Sequence, residues 1–172
     1  SLFGQGRYER LLPTNAAAVI SFMPARCAEK AGTNVLTNNI IKKMFEETAK
    51  APIASIVSNP AALGIDTAAN AYVYLIPSTN ASRIAEIGIV FRVADTARMK
   101  RSFASMYASG VRVLPRRGYH IVAGAGKEIS AAFTDDAFVL IYAERASETE
   151  IAFRLDALIP QAAERTSLIG DA

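Results

Sequence analysis

The chain has 172 residues with 19 basic and 16 acidic side chains, a length that suits one domain able to bury its own core without disulfides or metals. Apolar residues make up 51% of it, yet no apolar run approaches the ~20 residues of a transmembrane helix. The net charge of +3, spread among interleaved acidic residues, indicates a mild surface potential, and the single cysteine excludes an intramolecular disulfide.

The first third of the chain predicts one strand and several short helices. Residues 1–13 contain two glycines and a proline and are predicted to form a leader. Residues 17–22 are small and apolar and predict a strand; Pro24 then begins a short helix, since proline is tolerated in a first helical turn. Residues 40–48 place apolar side chains on one helical face, and a further short helix follows Pro52.

The middle of the chain predicts a hairpin followed by a helix. Residues 71–76 and 85–93 are predicted strands joined by a polar loop, which favours an antiparallel pair. Asp95 offers a side-chain oxygen that can cap the next helix, and Gly110 is placed to end it. A short strand is predicted at residues 111–114.

Three short β-rich runs form the clearest pattern in the chain, at residues 119–123, 129–133 and 137–142. Two tight turns separate them. Glycine, present at Gly124 and Gly126, is expected to supply a positive φ in the first turn, and aspartate side chains are expected to bond back to the backbone in the second. This pattern predicts an antiparallel meander.

The C-terminal region predicts one more helix. Ser147 and Glu150 have the spacing of a capping box, and Pro160 follows the predicted helix. Residues 89–106 and 139–158 are each a strand, a cap and an amphipathic helix, which suggests an internal duplication. Together the elements predict an α+β fold, a mainly antiparallel sheet with helices packed on one face.

Domain boundaries follow from the same pattern. After the leader at residues 1–13, a single α+β domain is predicted over residues 14–160. Residues 161–172 are predicted to be a tail or the start of a further segment. We expect the native polypeptide to be longer than this chain.

The order of these segments resembles that of a known family over residues 11–145. Four features are shared. The first is a Leu-Pro pair before a strand of small residues, and the second is a segment that runs from Asn-Pro to Gly-Ile-Asp and precedes another strand. The third is a strand followed by a helix, and the fourth is a turn that contains two consecutive aspartates. They lie at residues 12–21, 59–76, 88–95 and 134–141. The family that the chain resembles is an uncharacterised one of cell-envelope, lipoprotein-type domains from gram-negative anaerobes, known as a domain of unknown function.

This resemblance implies export and a periplasmic or cell-surface location, with a lipidated cysteine near the start of the full-length precursor. Cys27 lies within the domain and is not that anchor. The family supplies no catalytic residue to carry over. The implied partner is a protein or glycan of the envelope, and neither nucleic acid nor a transmembrane segment is expected.

No group of residues has the spacing of a catalytic or metal site. The chain has one histidine and no Gly-x-Ser-x-Gly motif, and the usual zinc sites require several cysteines or histidines. We therefore expect no catalytic residue, metal or cofactor. The candidate ligand-binding site is the densest basic stretch, although a solvated turn is the competing interpretation. It consists of Arg112, Arg116, Arg117, Tyr119 and His120.

The leading hypothesis is a non-catalytic, envelope-associated domain that acts in binding or assembly. One alternative is a hydrolase of unrecognised type that uses His120 or the pair Asp135 and Asp136, and it requires these groups to converge. The other is a binder of anionic ligands through the three arginines of the basic stretch. Its affinity would fall as the salt concentration rises.

Overall fold

The computed structural model describes residues 7–31, 59–78, 84–116, 118–124 and 128–143. Within these residues, seven strands form one sheet. The strands are β1 (Ala18–Phe22), β2 (Ala71–Pro77), β3 (Ile84–Arg92), β4 (Arg112–Arg116), β5 (Tyr119–Ala123), β6 (Ile129–Phe133) and β7 (Ala137–Ala143). The helices are α1 (Pro24–Ala31) and α2 (Thr96–Ser105), with 3-10 turns at Arg7–Leu11, Pro60–Leu63 and Tyr107–Ser109.

The sheet is antiparallel throughout, with the strand order β1-β2-β3-β7-β6-β5-β4. Two local units meet at its centre: β1 to β3 on one side, and the meander from β4 to β7 on the other. They join because β7 pairs with β3, for example through Leu140 opposite Ile89. Among the described strands, β1 and β4 are therefore the two edges of the sheet.

The positions of all seven predicted strands are confirmed, and each end agrees to within about two residues, the usual uncertainty of strand boundaries. The predicted hairpin of β2 and β3 is present. Gly124 has the expected positive φ, at 79°. The second turn of the meander differs, because the hydroxyl of Thr134, rather than an aspartate carboxylate, accepts from the backbone N–H groups of Asp136 and Ala137.

Helix α2 forms where the sequence supplies both a cap and an apolar stripe. Asp95 precedes it and accepts a hydrogen bond from the Arg98 amide at 2.8 Å, as predicted. Met99 and Phe103 lie on one side of the helix and are buried. Gly110, with a φ of 83°, ends the 3-10 turn that follows rather than α2 itself.

The sheet buries apolar side chains on both faces. On the helix face, which α2 covers, the ring of Phe103 stacks on Phe133 and Phe138 with centroids 5.9 and 6.0 Å apart. On the opposite face, Tyr8 and Leu11 of the first 3-10 turn are buried in a second apolar cluster. The central strands β6 and β7 are buried along almost their whole length.

The predicted fold class, α+β with helices packed on one face, is wrong for the described part of the chain. One seven-stranded sheet dominates it, and only α2, of ten residues, packs on a face as a substantial helix. The reason is that apolar residues run continuously through the central strands, so the sheet itself supplies most of both cores. The helices predicted at residues 40–48, after Pro52 and after Ser147 lie outside the described residues, as does the helix of the second suggested repeat.

Candidate functional site

The structure separates the residues of the predicted basic site. Arg112 and Arg116 lie on β4, Tyr119 and His120 lie on β5, and Arg117 lies outside the described residues. Arg116 is opposite Tyr119 in the register of these strands, and opposite residues share a face of the sheet. His120 is the next residue along β5 and points the other way. The two described arginines and Tyr119 therefore share the opposite face, whereas His120 lies on the helix face.

The arginines make β4 a basic edge. The guanidinium of Arg112 lies 6.0 Å from the ring centroid of Tyr107, within the range of a cation–π contact, and Tyr107 is 67% exposed. Leu114 lies between the two arginines and is also exposed. Neither Arg112 nor Arg116 forms an ion pair in the described part of the chain. β4 thus presents two positive charges beside two exposed apolar side chains.

Tyr119 is buried, and its hydroxyl has no hydrogen-bond partner among the residues that the structure describes. A buried polar group without a partner lowers stability by about 1–3 kcal/mol. The hydroxyl of Tyr74 provides a comparison on the same face, since it is also buried but donates to Oε1 of Glu86 at 3.0 Å. The hydroxyl of Tyr74 therefore stabilises the folded state, whereas the hydroxyl of Tyr119 lowers its stability.

Replacing Tyr119 with phenylalanine is expected to raise the free energy of unfolding by about 1 kcal/mol, because it removes a hydroxyl that is desolvated without a partner. Tyr74→Phe is the matched control. It breaks a buried hydrogen bond to a carboxylate and should lower the free energy of unfolding by about 1–3 kcal/mol. Denaturant unfolding of the three proteins measures both changes. A loss of stability in Tyr119→Phe would mean that this hydroxyl has a partner.

The imidazole of His120 stacks face to face on Phe133, with ring centroids 4.8 Å apart and an interplanar angle of 5°. Burial lowers the pKa of His120 below its ordinary value; Lys100 lowers it further, and Asp135 acts in the opposite direction. The ring forms no hydrogen bond with a carboxylate of the described residues. The carboxylate of Asp136 instead accepts a hydrogen bond within the β6–β7 turn. The groups named for a hydrolase therefore contribute to packing and to a turn.

Since His120 is the only histidine, its titration can be followed without ambiguity. We expect an NMR titration of the imidazole to give a pKa below 6.5 in the folded protein and near 6.5 in the denatured chain. The free energy of unfolding should then decrease as the pH falls below about 6.5, because the folded state disfavours the charged ring. His120→Gln should remove this dependence. A folded-state pKa above 6.5 would contradict burial as the main influence on the pKa of this ring.

A tyrosine cluster holds the first 3-10 turn against β2. Tyr8 donates to the backbone carbonyl of Asn70 at 3.0 Å, and Tyr72 donates to the carboxylate of Glu9. Burial, together with the hydrogen bond to Glu9, raises the pKa of Tyr72 to about 12, so this phenol stays protonated well above neutral pH. The cluster anchors residues that sequence reasoning placed in a leader. No periodic pattern in residues 1–13 signalled this role.

β1 forms the other edge of the sheet and is exposed along most of its length. Every residue from Ala17 to Ser21 is exposed, including Val19 at 47% and Ile20 at 58%. Alternate residues of a strand point to opposite faces, so apolar side chains are exposed on both sides of the sheet. No charged residue occurs between Arg10 and Arg26. The sequence predicted this strand but not its exposure.

The two edges differ in the features that prevent strand pairing. Charged side chains and prolines on an edge strand hinder the addition of another strand. β4 has both features, with Arg112 and Arg116 at its ends and Pro115 between them. β1 has neither. Within the described part of the chain, β1 is therefore the edge that is open to an added strand.

The profile of one protein family, described as a domain of unknown function (DUF4836), matches residues 8–165. The chain belongs to this family. This match confirms the prediction that the chain contains a domain of unknown function. No curated protein and no solved structure matches the chain.

Membership of the DUF4836 family places both sheet edges within one domain, since β1 and β4 both fall inside the matched residues. The exposed β1 strand is thus part of the family domain itself. Among the described residues, no histidines, cysteines, aspartates or glutamates form a group of three or more that could hold a metal ion. Neither described helix is long and apolar enough to cross a membrane.

Proposed function

We propose that this chain is a non-catalytic, envelope-associated domain that acts in binding or assembly by pairing an extended protein segment with the free edge of β1. The observation that carries the binding mode is the exposure of five consecutive uncharged residues, from Ala17 to Ser21, at the edge of the sheet. The envelope location rests on the family resemblance described above.

Strand addition uses the groups that an edge strand leaves unpaired. One row of backbone N–H and C=O groups of β1 faces away from β2, and an added strand hydrogen-bonds to this row. Its alternate side chains would cover Val19 on the opposite face and Ile20 on the helix face. The paired part of the bound segment should therefore be extended and uncharged, with β-branched side chains that can cover Val19 on one face and Ile20 on the other.

The binding mode is tested by titrating a lysine-flanked peptide of alternating valine and threonine into dilute, 15N-labelled protein and following the amide signals of the protein by NMR. We expect the wild-type chain to bind this peptide and Ile20→Lys to bind it at least about tenfold more weakly, because a charge on an edge strand opposes pairing. Leu114→Lys is the matched control on β4 and should bind as the wild type does. The same peptide with a central proline should not bind.

Two outcomes would contradict this mode of binding. One is the absence of binding at millimolar peptide concentrations. The other is equal weakening by Ile20→Lys and Leu114→Lys, which would indicate a general effect of added charge rather than pairing with β1. Circular dichroism of both variants confirms that each retains the sheet.

The envelope location needs a separate experiment. Antibodies against the chain should detect it in the envelope fraction of the source cells, and a surface form should be labelled on intact cells. Recovery of the protein only from the cytoplasmic fraction would contradict the envelope location. It would not affect the proposed pairing with β1, which the peptide experiment tests separately.

A second candidate function is the binding of anionic ligands at the β4 edge. The observation that favours it is the pair Arg112 and Arg116, which share one face and form no ion pair within the described residues. A sulfated polysaccharide is a suitable probe. Its affinity should fall with salt and be lost in the double variant Arg112→Ala and Arg116→Ala; binding indifferent to salt would refute it.

A further inference from the structure

We propose that the segment added to β1 is β1 of a second copy of the chain, so that two copies pair antiparallel about a two-fold axis. This inference rests on the proposed function, because it identifies the occupant of the same edge. The sheet would then continue through both copies, with the two α2 helices on the same side. Three properties of the strand favour a second copy.

The first property is charge. A two-fold axis places residues of one strand opposite residues of the same strand, so any charge on the edge meets a like charge. β1 carries no charged residue and avoids this penalty. A pairing of β4 with itself, centred on Leu114, would place Arg112 opposite Arg116 of the second copy. Charge therefore permits self-pairing at β1 and opposes it at β4.

The second property is the fit of side-chain sizes. When the axis passes through Ile20, Phe22 faces Ala18 of the second copy, so a large side chain meets a small one. Val19 likewise faces Ser21, and Ile20 faces itself. Phe22 already contacts the ring of Phe91 edge-on at 6.5 Å between centroids, so the new pair extends the core of the helix face.

The third property is which side chains become covered. Ile20 is the more exposed of the two exposed large apolar residues of β1, Val19 and Ile20, and it lies at the centre of the pairing. Val19 is covered on the other face of the sheet. Self-pairing thus removes from water both of the large apolar side chains that β1 exposes.

The short length of β1 limits the affinity of the two copies for each other. β1 has five residues, and pairing them buries less than the ~800 Å² per partner of a standard interface. We therefore expect a weak, reversible dimer with a dissociation constant between about 1 µM and about 1 mM. The chain should be monomeric when dilute and increasingly dimeric as its concentration rises.

Sedimentation equilibrium from low micromolar to millimolar concentrations tests this inference. We expect a monomer–dimer equilibrium in the wild type and in Leu114→Lys, and a monomer throughout in Ile20→Lys, where two lysines would meet at the axis. In a Cys27→Ser background, Ile20→Cys should be joined to itself by a short bis-maleimide, whereas Leu114→Cys should not.

A wild type that stays monomeric at millimolar concentration would overturn the second copy as the occupant. So would a dimer that survives Ile20→Lys. If the monomeric wild type still binds the alternating valine–threonine peptide and Ile20→Lys does not, the edge remains the binding site and only its occupant is wrong. If neither peptide nor second copy binds, both proposals fail.

Discussion

Replacing Phe103 with alanine is expected to lower the free energy of unfolding by about 3–5 kcal/mol, the range for removing a large aromatic side chain from a core. Phe103 is 1% exposed and is the residue of α2 whose ring stacks on both β6 and β7, through Phe133 and Phe138. Its loss leaves a cavity between the helix and the centre of the sheet. Thermal and denaturant unfolding measure the change.

Tyr107→Ala is the matched control for this prediction. Tyr107 follows α2 by two positions and also carries an aromatic ring, but it is 67% exposed and contacts Arg112 at the surface. Its removal should change the free energy of unfolding by less than about 1 kcal/mol. Similar losses in the two variants would show that α2 does not pack on the sheet through Phe103.

Replacing Gly88 with alanine is expected to lower the free energy of unfolding by about 1–3 kcal/mol, the range for overpacking a core. Gly88 lies opposite Tyr74 in the pairing of β2 with β3, and the tyrosine ring crosses directly over it. The hydroxyl then reaches Glu86, two residues along β3 on the same face. A Cβ at Gly88 would overlap this ring, which is fully buried.

A double-mutant cycle distinguishes this overlap from a general weakening of β3. Gly88→Ala is combined with Tyr74→Val, which leaves a residue of high strand propensity in β2 but removes the ring. The cost of Gly88→Ala should then largely disappear, giving a coupling energy of about 1 kcal/mol or more. Simple addition of the two single losses would contradict the crossing of the ring over the glycine.

Strand positions were predictable because they depend on local signals. The runs that became β5, β6 and β7 are short, β-rich and separated by turn residues, and Gly124 adopts the left-handed conformation that its turn requires. Asp95 likewise caps α2 through its own side chain, only three residues from its partner Arg98. Each of these features is set within a few residues of chain.

The pairing of strands and the layering of the fold were not predictable in the same way. β3 and β7 are neighbours at the centre although α2 and three strands separate them along the chain. The residues that cover the opposite face include Tyr8 and Leu11, in a region whose sequence has no periodicity. Long-range contacts of this kind depend on which apolar surfaces meet, and a local pattern does not specify that.

The exposure of the β1 edge could not be predicted from local sequence either. Ala18–Phe22 and Ile129–Phe133 are both five-residue runs of small, apolar and aromatic residues with one serine. The second run is buried at every position in the middle of the sheet, whereas the first is exposed at four of its five positions because it forms an edge. Composition therefore predicts a strand in both cases, and only the strand order reveals that β1 is available for pairing.

Amide hydrogen exchange, followed residue by residue in dilute and in concentrated solution, tests most directly whether the β1 edge pairs with a second copy of the chain. We expect the outward-facing amides of β1 to exchange rapidly when the protein is dilute and to become protected as its concentration rises, while those of β4 exchange at the same rate throughout. Protection that rises at β4 instead, or at neither edge, would contradict the account.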